Sequence, residues 1–494
     1  MNRLQNDEPT PNILRRSARW IVLAAVVSSP WLFGSAESWA YLLIIAVVNI
    51  GVMLWLVSLF RNGRFNRNAR GPALAGLALL AFLLVQMVPL PPGLVRAVSP
   101  LSAEVQGTRD RILGELAASA TAGAGMTPGS EKTQADDPSP RSDGYTLSVS
   151  PAATRQSLLL LASYLGIFLV LAHTATSWRS LRASATAIVI SGFLMAVFAL
   201  IQSFTGTRSI YWFHRPRLGG TIFGPFTNRN HFAAYINMVL GLTLAILPLR
   251  GRSPNAYGPP SLKEVIAQLS IKEVNQAILL GFAAVIMGGA VCLSLSRGGI
   301  TSLAAALGIL GVFISFQGRG IAPRQLIGTL VFFIVAVVVW LGWQPVAERI
   351  GSLPILAMEP LGGSRLPASV ATLRAWGAFL FAGCGFGCFQ FVFPMFQGPR
   401  LQVGRFLHAH DDYAQLLAEG GLIGAVLAGL MFALLIRTVW RNFSSASHDS
   451  RFFVGGLTVS AAAIAIHSLV DFSLHKPANA FLLSALSGMA VAAV

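Results

Sequence analysis

Residues 40–60 read AYLLIIAVVNIGVMLWLVSLF, without one charged side chain. That run restricts the fold more than any other feature. At a rise of about 1.5 Å per residue, a helix of this length matches a hydrocarbon layer about 30 Å thick. Lipid offers no partner to a backbone N–H or C=O, so a spanning segment must be a helix or part of a closed barrel. Barrel strands are shorter and alternate in polarity, and this run does not. Composition agrees: 54% of the 494 residues are hydrophobic and 11% charged, against about 25% charged in a soluble domain. The chain reads as an all-α, polytopic integral membrane protein, with a single transmembrane domain over 1–494.

Similar apolar runs place twelve spans, at 18–34, 39–60, 72–94, 156–174, 182–203, 230–249, 276–295, 299–316, 325–343, 412–436, 453–471 and 478–494. The first lies behind a polar, arginine-containing tail and lacks a small-residue cleavage site, so no cleavable signal peptide is visible. A net charge of +17 raises nucleic acid as a partner, but in a membrane protein Lys and Arg first report topology, because they collect in cytoplasmic loops. Arg3, Arg15, Arg16 and Arg19 precede span 1, and Arg61, Arg64, Arg67 and Arg70 follow span 2. With alternating spans, the basic loops near 179–182, 250–272, 319–324 and 437–451 fall on the same side. Both termini are therefore expected in the cytoplasm.

The outer loops should then be poor in arginine, yet they hold Arg208, Arg215, Arg217, Arg229, Arg297, Arg349, Arg365, Arg374, Arg400 and Arg405. Long loops escape the charge rule; the short SRGG turn around Arg297 does not have that exemption. A basic outer surface implies an anionic partner such as phospholipid, pyrophosphate or acidic glycan. Of the two long outer loops, 95–155 is rich in Gly, Ala, Ser, Pro and Asp and reads as disordered, with no catalytic signature. The other, 344–411, lies between spans 9 and 10 and joins a helical stretch over 365–382 to a glycine-alternating GCGFGCF. Cys384 and Cys388 within it could pair in an oxidising compartment, although a four-residue spacing suits few backbones.

Four clusters carry candidate chemistry. SLSRGGI sets Arg297 between two apolar runs, either as a snorkelling span marker or as a phosphate ligand with glycines that admit a close approach. Arg365 and Arg374 are nine residues apart, about 900° around an ideal helix, and so on opposite faces; one rigid helix cannot aim both at one ligand. In GPFTNRNHFAAY, Asn228, Arg229, Asn230 and His231 open span 6, where helix capping competes with hydrogen bonding to a sugar. RFLHAHDDYAQLLAE brings Arg405, His408, His410, Asp411 and Asp412 in front of span 10. Either aspartate can cap that helix. A metal reading would use both histidines and an aspartate, but zinc sites usually draw a ligand from further along the chain and hard divalent ions want more oxygens. A base reading needs a neutral imidazole beside anion-binding arginines. Glu419 sits two turns into the span and should face the interior. Gly421, Gly424 and Ala428 form a small-residue stripe suited to close helix packing. Asp471 and His475 end span 11, where a structural or site-bordering role is expected.

With these residues quoted, the sequence resembles the O-antigen ligase/polymerase superfamily of bacterial cell-surface glycan assembly. The match runs over about 200–480, through TNRNHFAAY, SRGGI, the Arg365 stretch leading into GCGFGCF, and HAHDDYAQLLAEGGLIG. Arg297 to Gly308 and His410 to Gly421 each enclose ten residues, as in the family's Arg and His motifs. One departure is Asp411, where the family more often has a neutral polar residue; a carboxylate there favours the protonated imidazole of His410. The resemblance implies an inverting glycosyltransferase on the periplasmic face of the inner membrane. It further implies a glycan on undecaprenyl pyrophosphate as donor, and as acceptor a sugar hydroxyl on a lipid-linked glycan or on lipid A-core. Arg297 and Arg365 match the pyrophosphate-binding arginines and His410 the general base; Asn228, Arg229, Asn230, His408, Asp411 and Arg405 are the remaining candidate substrate contacts. No cofactor is implied, and no P-loop or dinucleotide fingerprint is present. The HSLVDFSLHKPANAFLL ending looks more like polymerising members. A transporter would instead call for ionisable residues deep in several spans and for symmetry between halves; here polar groups gather on one face. A scaffold role among glycan-assembly proteins stays open as an added one.

Overall fold

The computed structural model describes residues 13–62, 65–123, 144–216, 220–247, 272–316, 328–336, 339, 346, 348, 365–398, 401, 405–443 and 446–494. Among these the regular secondary structure is helical, with pairing between extended segments limited to isolated bridges such as Leu90–Tyr145. The longer α-helices are α1 (Ile13–Ser28), α2 (Ser38–Asn62), α3 (Arg70–Met87), α4 (Pro92–Val98), α5 (Pro100–Gly123), α6 (Pro151–Thr174), α7 (Trp178–Phe204), α8 (Arg229–Ala245), α9 (Lys272–Leu293), α10 (Arg297–Phe316), α11 (Arg365–Ala378), α12 (Asp412–Phe443), α13 (His448–His467) and α14 (Pro477–Ala492). Among the described residues, seven helices are long and apolar enough to cross a membrane: α2, α3, α6, α7, α9, α12 and α13. These correspond to seven of the twelve expected spans. Of the other five, α1, α8, α10 and α14 overlap their expected positions, and the span at 325–343 is described over 328–336 and at 339, where it is helical. The loop 250–271, with Arg252, Lys263 and its neighbours, lies outside them too, as do Arg217, Arg349 and Arg400.

Two expected boundaries are corrected. The span read as 72–94 stops at Met87, because Pro89, Pro91 and Pro92 follow; proline lacks the helical N–H and drives its preceding residue out of the α region. The 95–155 loop is not disordered over 95–123, which lies in α4 and α5. Gln106 holds α5 to the returning chain: its Nε2 donates to Thr146 O at 2.6 Å and its Oε1 accepts from Thr146 N at 3.0 Å. Val95 and Ala103 enter a core with Leu79, Phe82, Leu83 and Leu147. Averaging the loop's composition hid this apolar face behind the polar stretch at 124–143, which lies outside the described residues.

The chain divides into two compact units. The first comprises Met1–Ala73, Ala162–Gly362 and Phe432–Val494. Its centre is α8, in which every residue from Asn230 to Ala245 is buried and which touches α7, α9, α10, α13 and α14. Small residues let α13 approach: a Cβ on Gly241 would lie 2.6 Å from the backbone nitrogen of Ser460, whose hydroxyl donates to Met238 O at 2.7 Å. A helix buried all round needs no amphipathic stripe, and the apolar INMVLGLTLA supplies none.

The second unit comprises Leu74–Leu161 and Gly363–Met431. α11 lays Ala368 and Ala371 against Phe389, Phe393 and Ala409, while Phe379, Cys384, Cys388 and Val392 form a neighbouring core. Within this unit α12 is interrupted at Gly421, with φ 61° and ψ −163°, a conformation essentially confined to glycine. The GCGFGCF turn fills the break. Cys384 N donates to Ala418 O at 2.9 Å, Gly385 N to Glu419 O at 3.0 Å, and Leu422 N and Ile423 N donate to Leu380 O and Phe381 O at 2.9 and 3.1 Å. The backbone groups released from the helix are thereby paired within the protein, the condition for a broken helix at membrane depth.

Candidate functional site

In the first unit the candidate residues stand at two helix N-termini. Asn228 is extended, and its side chain accepts from Asn230 N at 2.9 Å, capping α8 as its residue type favours. Arg229 is the first residue of that helix, half-buried, and its N–H goes to Thr221 O at 2.7 Å. Ser296 caps α10 by accepting from Gly299 N at 3.1 Å, and the same hydroxyl donates to Asn230 Oδ1 at 2.8 Å. Arg297 opens α10, half-buried. The other end of the Asn230 amide donates to the carboxylate of Asp471. Both ends of that amide are thus taken up inside the protein, and it is 8% exposed. The expectation that Asn230 contacts a sugar therefore finds no support in its geometry; a capped N-terminus and a sugar contact look alike in sequence.

Asp471 is fully buried. It accepts from Phe472 N at 2.8 Å and lies 3.4 Å from His231 Nε2. Asn479 donates to His231 O at 3.3 Å and to Ser473 O at 3.0 Å. The expected structural role for Asp471 is what these contacts describe, while its pairing with Asn230 and the capping by Ser296 were missed. The available signal was a serine directly before an apolar run, an ordinary helix-start pattern.

In the second unit Asp411, not Asp412, caps α12: its Oδ1 accepts from Tyr413 N and Ala414 N at 3.0 and 3.1 Å. His410 is half-buried and adopts φ 57°, a left-handed backbone that costs energy and persists where neighbours impose it. Its ring stands edge-on to Phe406, 6.3 Å between centroids, and Phe406 packs on Phe393. His408 Nδ1 lies 3.3 Å from Gln415 Nε2, and Gln415 Oε1 accepts from Ala409 N at 3.0 Å. Glu419, 3% exposed, accepts from Gln415 Nε2 at 3.0 Å, Gly387 N at 2.9 Å and Phe389 N at 3.2 Å. Sequence placed Glu419 inward but saw no partner; Gln415, one turn ahead on the same face, was not singled out.

The arginines of this unit differ in setting. Arg405 is exposed, with Nη2 3.4 Å from Gln390 Oε1. Arg365 and Arg374 are both exposed on α11, bordering an outward apolar stripe of Leu366, Val370 and Leu373, while Ala368, Ala371, Thr372 and Ala375 face inward. Cys384 and Cys388 are free and buried. Burial pushes both thiols up, and Cys388 Sγ lies 3.4 Å from Ser148 Oγ. Among the described residues no three of His, Cys, Asp and Glu stand together as metal ligands would.

Seven potential spans among the described residues, with polar clusters at helix ends, define the class as a multi-pass membrane protein. Residues 282–429 match the model of a family described as O-antigen ligase, which supports placing the chain in the O-antigen ligase superfamily. The matched segment contains Arg297, Arg365, Arg405, His408, His410 and Asp411. That family implies a glycan-transferring enzyme. No curated protein matches the chain.

Proposed function

We propose that the chain is an inverting, metal-independent glycosyltransferase of the inner membrane, with twelve spans, cytoplasmic termini and its active face toward the periplasm. The observation that carries this reading is that Arg297, Arg365 and His410 all fall within the segment matching the O-antigen ligase family. The donor is a glycan on undecaprenyl pyrophosphate. His410 takes the proton of the acceptor hydroxyl, the freed oxygen attacks the anomeric carbon, and the bond from that carbon to the pyrophosphate oxygen breaks. One in-line displacement inverts the centre. Arg297 and Arg365 stabilise the charge that grows on the leaving pyrophosphate, an electrostatic task guanidinium performs without a metal. His408, Asp411, Arg405, Asn228 and Arg229 remain the proposed substrate contacts.

The acceptor is proposed to be another lipid-linked repeat unit, making the chain a surface-polysaccharide polymerase; the HSLVDFSLHKPANAFLL ending supports this. Transfer to lipid A-core is the second reading, favoured by the description of the matched family. Glycan analysis of a deletion strain separates them: single repeat units on capped acceptors indicate a polymerase, intact long chains left on the lipid carrier a ligase. The chemistry itself is tested by assaying purified protein with lipid-linked donor in the presence of EDTA. Undiminished transfer is expected, and its loss on chelation would overturn the metal-free mechanism.

A further inference from the structure

The buried Gln415–Glu419 pair reaches the His408 ring and the backbone between the two histidines, and has no part in the transfer chemistry as written above. Three N–H groups point at the two oxygens of Glu419: Gly387 N at Oε2, Phe389 N and Gln415 Nε2 at Oε1. The carboxylate acts as acceptor toward all of them. It therefore selects which end of the Gln415 amide faces it. With Nε2 turned to Glu419, Oε1 is left to accept from Ala409 N at 3.0 Å, the peptide N–H between His408 and His410. The same Nε2 stands 3.3 Å from His408 Nδ1, a nitrogen that must then accept, leaving the ring proton of a neutral His408 on Nε2. An amide is ambiguous in isolation; here an obligate acceptor on one side and an obligate donor on the other remove the ambiguity.

We propose that Gln415 and Glu419 are positioning residues for His410, holding the His408–His410 backbone in the left-handed turn that presents the imidazole. This rests on the proposed role of His410 as base. Glu419 also ties that turn to the break in α12, since its own carbonyl accepts from Gly385 N at 3.0 Å. The ten-residue interval from His410 to Gly421 thus has a physical content: one helical segment carries the capping aspartate, the amide and the carboxylate, and ends where the glycine turn docks.

The test uses full-length protein in lipid nanodiscs with undecaprenyl-pyrophosphate-linked glycan, comparing Gln415→Met, Glu419→Gln and His410→Ala. Gln415→Met preserves shape and leaves Glu419 its bonds to Gly387 and Phe389, but Ala409 N loses its acceptor. We expect kcat to fall by about 10²-fold, as a misplaced catalytic group does, with the donor KM unchanged and the thermal midpoint only slightly lowered by the unpaired N–H of Ala409. Glu419→Gln can present an oxygen to only one of Gly387 N and Phe389 N, and should show the same split with a lowered midpoint. Wild-type turnover in Gln415→Met, or kcat and KM moving together with a lost midpoint, overturns positioning. If His410→Ala itself transfers at the wild-type rate, the base assignment has failed instead, and the two failures are told apart.

Discussion

The two units use one device for different ends. In the first, a buried carboxylate and an amide, Asp471 and Asn230, set a serine hydroxyl that caps the helix opening at Arg297. In the second, Glu419 and Gln415 fix a backbone N–H between the histidines directly. A guanidinium on a long flexible stem acts as a charge and tolerates an approximate start. A general base must meet its proton within hydrogen-bond reach, and in the second unit the backbone itself is clamped. The contrast teaches that the precision of the scaffold follows the precision the chemistry needs.

The glycines that follow the two motifs break the comparison most sharply. A Cβ on Gly421 would lie 2.3 Å from Phe381 O and 2.5 Å from Gly383 N, in a backbone region closed to other residues, whereas one on Gly308 meets nothing within 4 Å. Gly421→Val should leave no folded protein to extract from membranes. Gly308→Ala should raise the thermal midpoint slightly, by roughly the 1 kcal/mol that glycine costs within a helix. A folded Gly421→Val protein would show that the break in α12 is dispensable.

That asymmetry marks how much the sequence disclosed. Helices were legible because apolar runs report burial in lipid, and the capping roles of Asn228 and an aspartate before α12 because residue type and position suffice for a cap. The spacing from His410 to Gly421 was visible as a pattern, but its meaning required the φ and ψ of Gly421. For Gly308 the structure offers no packing reason at all. The contacts of Asn230 with Asp471 and of Gln86 with Ala382 O, at 2.7 Å, join residues hundreds of positions apart, which no local period records. The helices over 92–123 were hidden because composition was averaged across a loop whose two parts differ.

Next in size, Arg365 and Arg374 sharpen the assignment on α11, where sequence could say only that they occupy opposite faces. Arg365→Ala should lower transfer by about 10²-fold, the usual scale for losing one transition-state donor, and Arg374→Ala by no more than about threefold at such an exposed position. Equal losses would mean that the apolar stripe between them, rather than one guanidinium, matters.

A smaller effect is expected in the first unit. Asp471→Ala leaves Asn230, His231 and Phe472 N without their shared acceptor and should cost about 3 kcal/mol of stability, the lower range for removing one member of a buried polar pair. Thermal unfolding followed by tryptophan fluorescence reads this, with His475→Ala on the half-exposed turn as the near-neutral reference. If Asp471→Ala unfolds no earlier than His475→Ala, the buried network is not what holds the SRGG turn.

The most direct test of the account is the initial rate of glycan transfer by purified His410→Ala, with lipid-linked donor saturating and the fold verified by an unchanged thermal midpoint. A rate reduced by at least about 10²-fold is predicted, the range that general acid–base catalysis supplies. Transfer at the wild-type rate would contradict it.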